Sequence, residues 1–137
     1  MERYIHKVHY YETDKMGIVH HSNYVRWLEE ARVYMMDKMG YSFARLEEEG
    51  ILSPVLNYYV DIKHSTRFND DVEIIPKIKL YNSVRLEIEY EIKTKGELVA
   101  KATTNHCFTN INGLPQRLNK TSPELDMKFK EQLKKGE

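Results

Sequence analysis

A single cysteine, Cys107, leaves the 137-residue chain no intrachain disulfide, which fits a reducing compartment such as the cytoplasm. Excess charge is also missing. Twenty-one basic residues balance 21 acidic ones, and without a basic stripe no nucleic-acid surface is expected. No apolar run approaches the length of a membrane span, and Met1-Glu2-Arg3-Tyr4 does not open a signal peptide. Internal repeats, low-complexity tracts and Ser/Gly-rich linkers are equally absent. What is present, 41% hydrophobic and 31% charged residues, is ordinary for one soluble domain spanning residues 1–137. A net charge of zero does little to hold copies apart, which is compatible with self-association.

The hydrophobic pattern changes period along the chain. A strand rich in Tyr, Ile and Val is expected at about residues 3–10. From Asn23 to Met39 the period is helical: Tyr24, Trp27, Leu28, Ala31, Tyr34 and Met35 form an apolar face. Arg26, Glu29, Glu30, Arg32 and Lys38 are assigned to the opposite, wet side. Ser22 or Asn23 is expected to cap this helix and Gly40 to end it. A shorter helical turn runs from Ser42 to Glu49 and stops at Gly50.

Beyond it the period becomes two. Leu56–His64, Val72–Leu80, Val84–Lys93 and Leu98–Thr109 alternate apolar with polar residues, separated by turns at Tyr81-Asn82-Ser83 and Lys95-Gly96. Alternation means one dry and one wet face, hence an antiparallel sheet. Pro76 inside a strand predicts an edge or a bulge. Ser122-Pro123-Glu124 starts a last helix with Leu125, Phe129 and Leu133 as its stripe. The expectation is an α+β domain, an antiparallel sheet of about five strands wrapped around the long Asn23–Met39 helix.

The densest chemistry lies in residues 10–24, Tyr-Tyr-Glu-Thr-Asp-Lys-Met-Gly-Ile-Val-His-His-Ser-Asn-Tyr. Asp14 stands three residues before Gly17, and His20 and His21 precede the helix start. A carboxylate and an imidazole thus gather where unpaired helix N–H groups favour negative charge. These are the parts that acyl-group hydrolysis requires. Adjacent histidines point in different directions, and no HExxH or cysteine partner accompanies them, so no metal site is expected. Cys107 has no base beside it and reads as an inert core or surface thiol.

The element order and the run Tyr10-x-x-x-Asp14-x-x-Gly17-Ile18-Val19-x-His21-x-Asn23-Tyr24 resemble the hotdog-fold acyl-CoA thioesterases of the 4-hydroxybenzoyl-CoA thioesterase family, YbgC-like branch. Weaker echoes are Arg67–Asp71 before a strand and Ala102–His106 in the last one. The chain departs from the pattern at Lys15-Met16, where many relatives carry small residues.

The resemblance implies that Asp14 is the catalytic carboxylate, with Tyr10 and His21 in support. Asp14 would attack the thioester carbonyl or activate a water, and the backbone N–H at His21 would polarise the thioester oxygen. Gly17 and Asn23 join the substrate-contacting set, although Asn23 also reads as a helix cap. Lys63, His64, Ser65 and Arg67 would meet coenzyme A phosphates and pantetheine. Coenzyme A enters as part of the substrate, so no separate cofactor is implied. Paired protomers, as a dimer or a dimer of dimers, would bring Lys63–Arg67 of one chain to the Asp14 loop of the other. Two alternatives stay open: action on an acyl carrier protein or a related dehydratase, and a non-catalytic acyl-CoA-binding protein.

Overall fold

The computed structural model describes residues 2–136; Met1 and Glu137 lie outside the described residues. The first strand is shorter than its composition implies. β1 covers Tyr4–Lys7, and the chain then tightens into a 3₁₀ turn at Tyr10–Glu12. The long helix α1 runs Ser22–Met39, followed by α2 at Phe43–Glu48. Four strands come next: β2 (Val55–Ile62), β3 (Asp71–Tyr81), β4 (Arg85–Thr94) and β5 (Glu97–Cys107). A short α3 (Leu118–Thr121), which the sequence pattern did not reveal, precedes α4 (Pro123–Lys135).

All five strands join one antiparallel sheet in the order β1-β3-β4-β5-β2. Past a register shift in β3 Leu80 is exposed and Tyr81 buried, but the even-numbered residues of β4 and β5, and of β3 as far as Ile78, face inward toward α1. Ile74, Ile78, Ile88, Tyr90, Ile92 and Ala102 are buried there with Trp27, Leu28, Ala31 and Met35 of the helix. Burying each large side chain contributes about 1.5–3 kcal/mol, so this seam dominates the fold. The helix ends as its sequence predicts. Gly40 takes a left-handed φ of 86°, which lets its N–H reach Asp37 O and lets Tyr41 N–H return to Met36 O at 3.1 Å.

Pro76 pairs with Tyr90 on β4, while β1 covers β3 only from Asp71 to Ile74. The proline therefore stands where the outer edge of β3 is open and no ladder donor is needed, and a register shift follows between Ile78 and Leu80.

Three expectations need correction. Arg32, assigned to the wet side of α1, is buried at 5% exposure. The reason is α2 and the Ser53 segment, which pack over that side: Arg32 Nη1 reaches Ser53 O and its guanidinium lies over the Phe43 ring. β2 has no dry face. Leu56, Tyr58, Tyr59 and Ile62 are all exposed, because α1 reaches this last strand only at its margin, where Val60 joins the core, and no strand pairs its outer edge among the described residues. Finally, α1 does not cover the sheet alone. α4 packs on β3 and buries Leu125 and Phe129. Ser122 precedes α4 without capping it through its side chain, which meets Tyr41 Oη at 3.1 Å instead.

Candidate active site

Residues 12–20 fold into a small antiparallel hairpin. His20 N–H donates to Glu12 O, Thr13 bridges Val19, and Asp14 N–H donates to Ile18 O. Gly17 closes the tip at φ 77°, a left-handed conformation that side chains disfavour, and its N–H donates to Asp14 O at 3.0 Å. Asp14 shapes the same turn. Its Oδ1 accepts the Met16 N–H at 2.8 Å, while its Oδ2 has no partner among the described residues. One carboxylate oxygen is thus fixed and the other is free for chemistry.

His21 occupies the position before α1 with helical φ and ψ, and neither Ser22 nor Asn23 caps the helix. The expected capping side chains are used elsewhere. Ser22 Oγ pairs with His20 Nδ1 at 2.8 Å. The buried Asn23 donates through Nδ2 to Glu12 O at 2.9 Å and His20 O at 3.2 Å, so it braces the hairpin. With no capping side chain, the His21 N–H has no partner among the described residues. A free donor at the positive end of an 18-residue helix suits a developing oxyanion. The His21 ring itself is exposed and packs on His20 at 4.2 Å between centroids.

The hairpin is anchored by a residue that the motif reading passed over. Glu12 is 4% exposed, and its Oε1 accepts the His9 N–H at 2.7 Å and faces His6 Nε2 at 2.8 Å. Its Oε2 accepts Trp27 Nε1–H at 2.8 Å. Burial opposes the charge, but the hydrogen bonds from His9, His6 and Trp27 outweigh it and hold the carboxyl below its ordinary range. One acidic residue between Tyr11 and Thr13 carries no periodic signal that could have revealed this role. Glu12, His6 and His9 also bring three ligand atoms within 4.8 Å of one another. A cation there would have to displace donors that Glu12 already accepts, so the carboxylate serves as an internal hydrogen-bond hub.

A second clamp comes from the segment after β2. Val19 N–H donates to Thr66 O, Tyr24 Oη meets Thr66 Oγ1 at 3.0 Å, and Ile18 bridges Arg67. A Cβ built on Gly17 would lie 3.7 Å from an Arg67 Nη1. Arg67 therefore adjoins the Asp14 hairpin of its own chain. Its guanidinium has no acidic partner among the described residues. Lys63 is paired with Asp61 at 2.9 Å, His64 lies 3.8 Å from Glu97, and Ser65 is exposed. Lys63 and His64 thus already have acidic neighbours, whereas Arg67 retains a free charge.

Tyr10 is 77% exposed, and its ring meets Phe68 edge-on at 5.6 Å. Its carbonyl, not its hydroxyl, serves the loop by accepting from Thr13 N and Oγ1. It makes no hydrogen bond to Asp14 among the described residues. A cavity of about 490 Å³ beside Met35, Met39 and Pro76 lies at the far end of α1, about 20 Å from His21 by helical rise. It is remote from this chemistry.

Residues 8–133 match the Thioesterase-like superfamily. The chain belongs to that family. Thioester hydrolysis is accordingly its reaction, and the five-stranded sheet around α1 is the hotdog fold. A Bacillus subtilis protein, YneP, provisionally named an acyl-CoA thioesterase, is 32% identical over 86% of this chain and 87% of its own. A crystal structure of a DHNA-CoA thioesterase from Staphylococcus aureus superposes with a TM-score of 0.92 at 32% identity, covering 94% of this chain and 88% of that one. An Aquifex aeolicus protein, provisionally named an esterase, is 34% identical over 77% of this chain and 82% of its own. No described helix is long and apolar enough to cross a membrane.

Proposed function

We propose that this thioesterase acts on acyl-CoA, turning acyl-CoA and water into free acid and coenzyme A at the hairpin of residues 12–20. One observation carries the reading: a free carboxylate oxygen, Asp14 Oδ2, stands in the braced hairpin, and a free main-chain donor, His21 N–H, follows it directly at the start of α1. The thioester oxygen rests on the His21 N–H, where α1 favours the charge that develops as the carbonyl becomes tetrahedral. Asp14 either attacks the carbonyl carbon, giving a mixed anhydride that water opens, or takes a proton from the attacking water. Both routes release the thiolate of coenzyme A. The names of YneP and of the Staphylococcus aureus enzyme support coenzyme A as the carrier. Coenzyme A arrives with the substrate, so the chemistry needs no resident cofactor. The lone thiol, Cys107, supports a cytoplasmic setting.

A thiol-release assay over a panel of acyl-CoAs, repeated with the same acyl groups on acyl carrier protein, tests the reaction and its carrier. Thiol release from coenzyme A thioesters is expected. A purified, folded protein that releases none would overturn the reading, and faster release from the carrier protein would reassign the substrate.

The oxyanion role of the main chain has its own test. His21 has a φ of −55°, which proline can adopt. His21→Pro therefore removes the N–H while keeping the local backbone angle, and about a hundredfold loss in kcat is expected, close to 3 kcal/mol of barrier. His21→Ala keeps the N–H and should cost about tenfold or less. Equal losses in the two variants would move the role to the imidazole.

Arg67 is read as a coenzyme A phosphate contact. Reversing its charge with Arg67→Glu should raise KM more than it lowers kcat, since the phosphates are bound alike in ground and transition states. A kcat loss without a KM change would contradict this.

The bare outer edge of β2, with Tyr58 and Tyr59 exposed, is a liability that a second copy would cover. A two-fold dimer, or a pair of such dimers, is expected by light scattering at assay concentration. A fully active monomer would refute that assembly.

A further inference from the structure

β1 contributes a buried imidazole that the reaction described so far leaves unused. His6 is 7% exposed and lies between two carboxylates. Its Nε2 stands 2.8 Å from Glu12 Oε1, and its Nδ1 stands 3.4 Å from Glu30 Oε2, within ion-pair distance. Glu30 belongs to α1 and is held against the ring, because the same Oε2 accepts the Tyr4 hydroxyl at 2.8 Å. Burial first, and then Glu30, push the Tyr4 phenol up to about 12, so that hydroxyl remains a donor at ordinary pH. The Trp27 and His9 rings flank His6 at 5.0 and 5.2 Å between centroids, and its partner across β3 is the apolar Val72.

Valence decides which form of the ring fits. A neutral imidazole carries one N–H and one lone pair, whereas the imidazolium donates from both nitrogens. Ionised carboxylates only accept. With one ring proton, the second nitrogen would aim its lone pair at a carboxylate oxygen in a place nearly closed to water. With two, each nitrogen meets an acceptor. The charge count agrees. Glu12 is 4% exposed, its other donors, His9 N–H and Trp27 Nε1–H, are neutral, and no lysine or arginine pairs with it among the described residues. A buried carboxylate calls for a cation, and His6 is the group in place to supply one.

The link to the site runs through Glu12. Its carboxylate meets His6, while its main-chain oxygen accepts from His20 N–H at 2.8 Å and from Asn23 Nδ2 at 2.9 Å. Asp14 follows two residues later on the same hairpin.

We propose that His6 is a positioning residue for thioester hydrolysis: as the imidazolium bridging Glu12 to Glu30 it braces the hairpin that presents Asp14, and the brace is lost when the ring gives up its second proton. The proposal rests on the reading of that hairpin as the site. Rising pH thus slackens the hairpin from its buried side, through a ring that never meets the substrate. The effect belongs to kcat, because misplacing reacting groups by about 1 Å costs up to roughly a hundredfold, while the coenzyme A end still binds.

The test joins ring NMR to kinetics on the full chain. In wild type labelled at the histidine rings, the His6 signal is identified by its loss in His6→Gln, and it should carry the signature of two N–H groups near neutral pH. As pH rises, the midpoint of its change to the neutral ring should coincide with the midpoint of an alkaline fall in kcat, with KM constant within about twofold. Glu30→Gln removes one carboxylate that calls for the second N–H, so both midpoints should move down together. His6→Gln keeps a donor toward Glu12 but no charge; about a tenfold lower kcat and no alkaline fall are expected. A histidine kept only for packing would affect Tm without giving ring and kcat a shared midpoint. A neutral ring near neutral pH, midpoints that separate in wild type or in Glu30→Gln, an alkaline fall that follows the His20 or His21 ring, or wild-type kcat in His6→Gln would overturn the proposal. Absence of all thiol release from wild type would instead overturn the acyl-CoA reading beneath it.

Discussion

Asp14→Asn is expected to fold like the wild type and to lose a hundredfold to ten-thousandfold in kcat, the range for a positioned acid–base or nucleophilic group. The substitution separates two jobs held by one side chain. Oδ1 accepts the Met16 N–H and so fixes the turn before Gly17. The asparagine carbonyl keeps that bond, and asparagine suits such turns as well as aspartate does. The free Oδ2 becomes an amide nitrogen that can neither attack a carbonyl nor take a proton from water. The measurement is single-turnover thiol release alongside a thermal melt. An unchanged Tm with a collapsed kcat supports the assignment, and near-wild-type turnover would remove Asp14 from the chemistry. Asp14→Ala is the useful contrast. It loses the turn acceptor as well, so its melt should shift while its kcat falls no further than that of Asp14→Asn.

The limits of pattern reading lie in particular residues. Alternation along Val84–Lys93 and Leu98–Thr109 was enough to place β4 and β5 and to fix which side is dry, because both faces of a central strand leave an imprint on composition. β2 alternates as well, yet both of its faces stay largely exposed, with only Val60 packed against the core among the described residues. Periodicity records which face is apolar and not what lies over it. Arg32 was misread for a related reason. A cation at a helical position is assigned to water by its type, whereas here α2 and Ser53 close over it. The Asp14-x-x-Gly17 loop was legible because a carboxylate and a left-handed glycine at that spacing make a turn in few ways. The bridge from Ile18 to Arg67 within one chain left no trace in the pattern, since their separation in sequence conceals it.

Glu12 left no trace in the pattern and should show the largest effect on stability. Glu12→Ala is expected to cost about 3–5 kcal/mol, the range for removing one partner of a buried charged network. The His9 N–H and the Trp27 Nε1–H would lose their acceptor, and the His6 ring its partner, in a region closed to water. A Tm lower by about 10 °C or more is expected. The acid side of the stability curve gives a second, independent reading. The folded carboxyl is held below its unfolded value, so its contribution is fully present above the unfolded pKa and is lost as pH falls through the folded one. Wild type and Glu12→Gln should therefore differ most near neutral pH and converge in acid, where the wild-type carboxyl is also uncharged. A constant gap across that range would mean that shape, not charge, is what the pocket between His6 and Trp27 requires. Because Glu12 O also holds His20 and Asn23, the hairpin that presents Asp14 and the His21 N–H loosens together with this residue. Activity in Glu12→Ala should accordingly fall even at temperatures where the variant remains folded, although its carboxylate never meets the substrate.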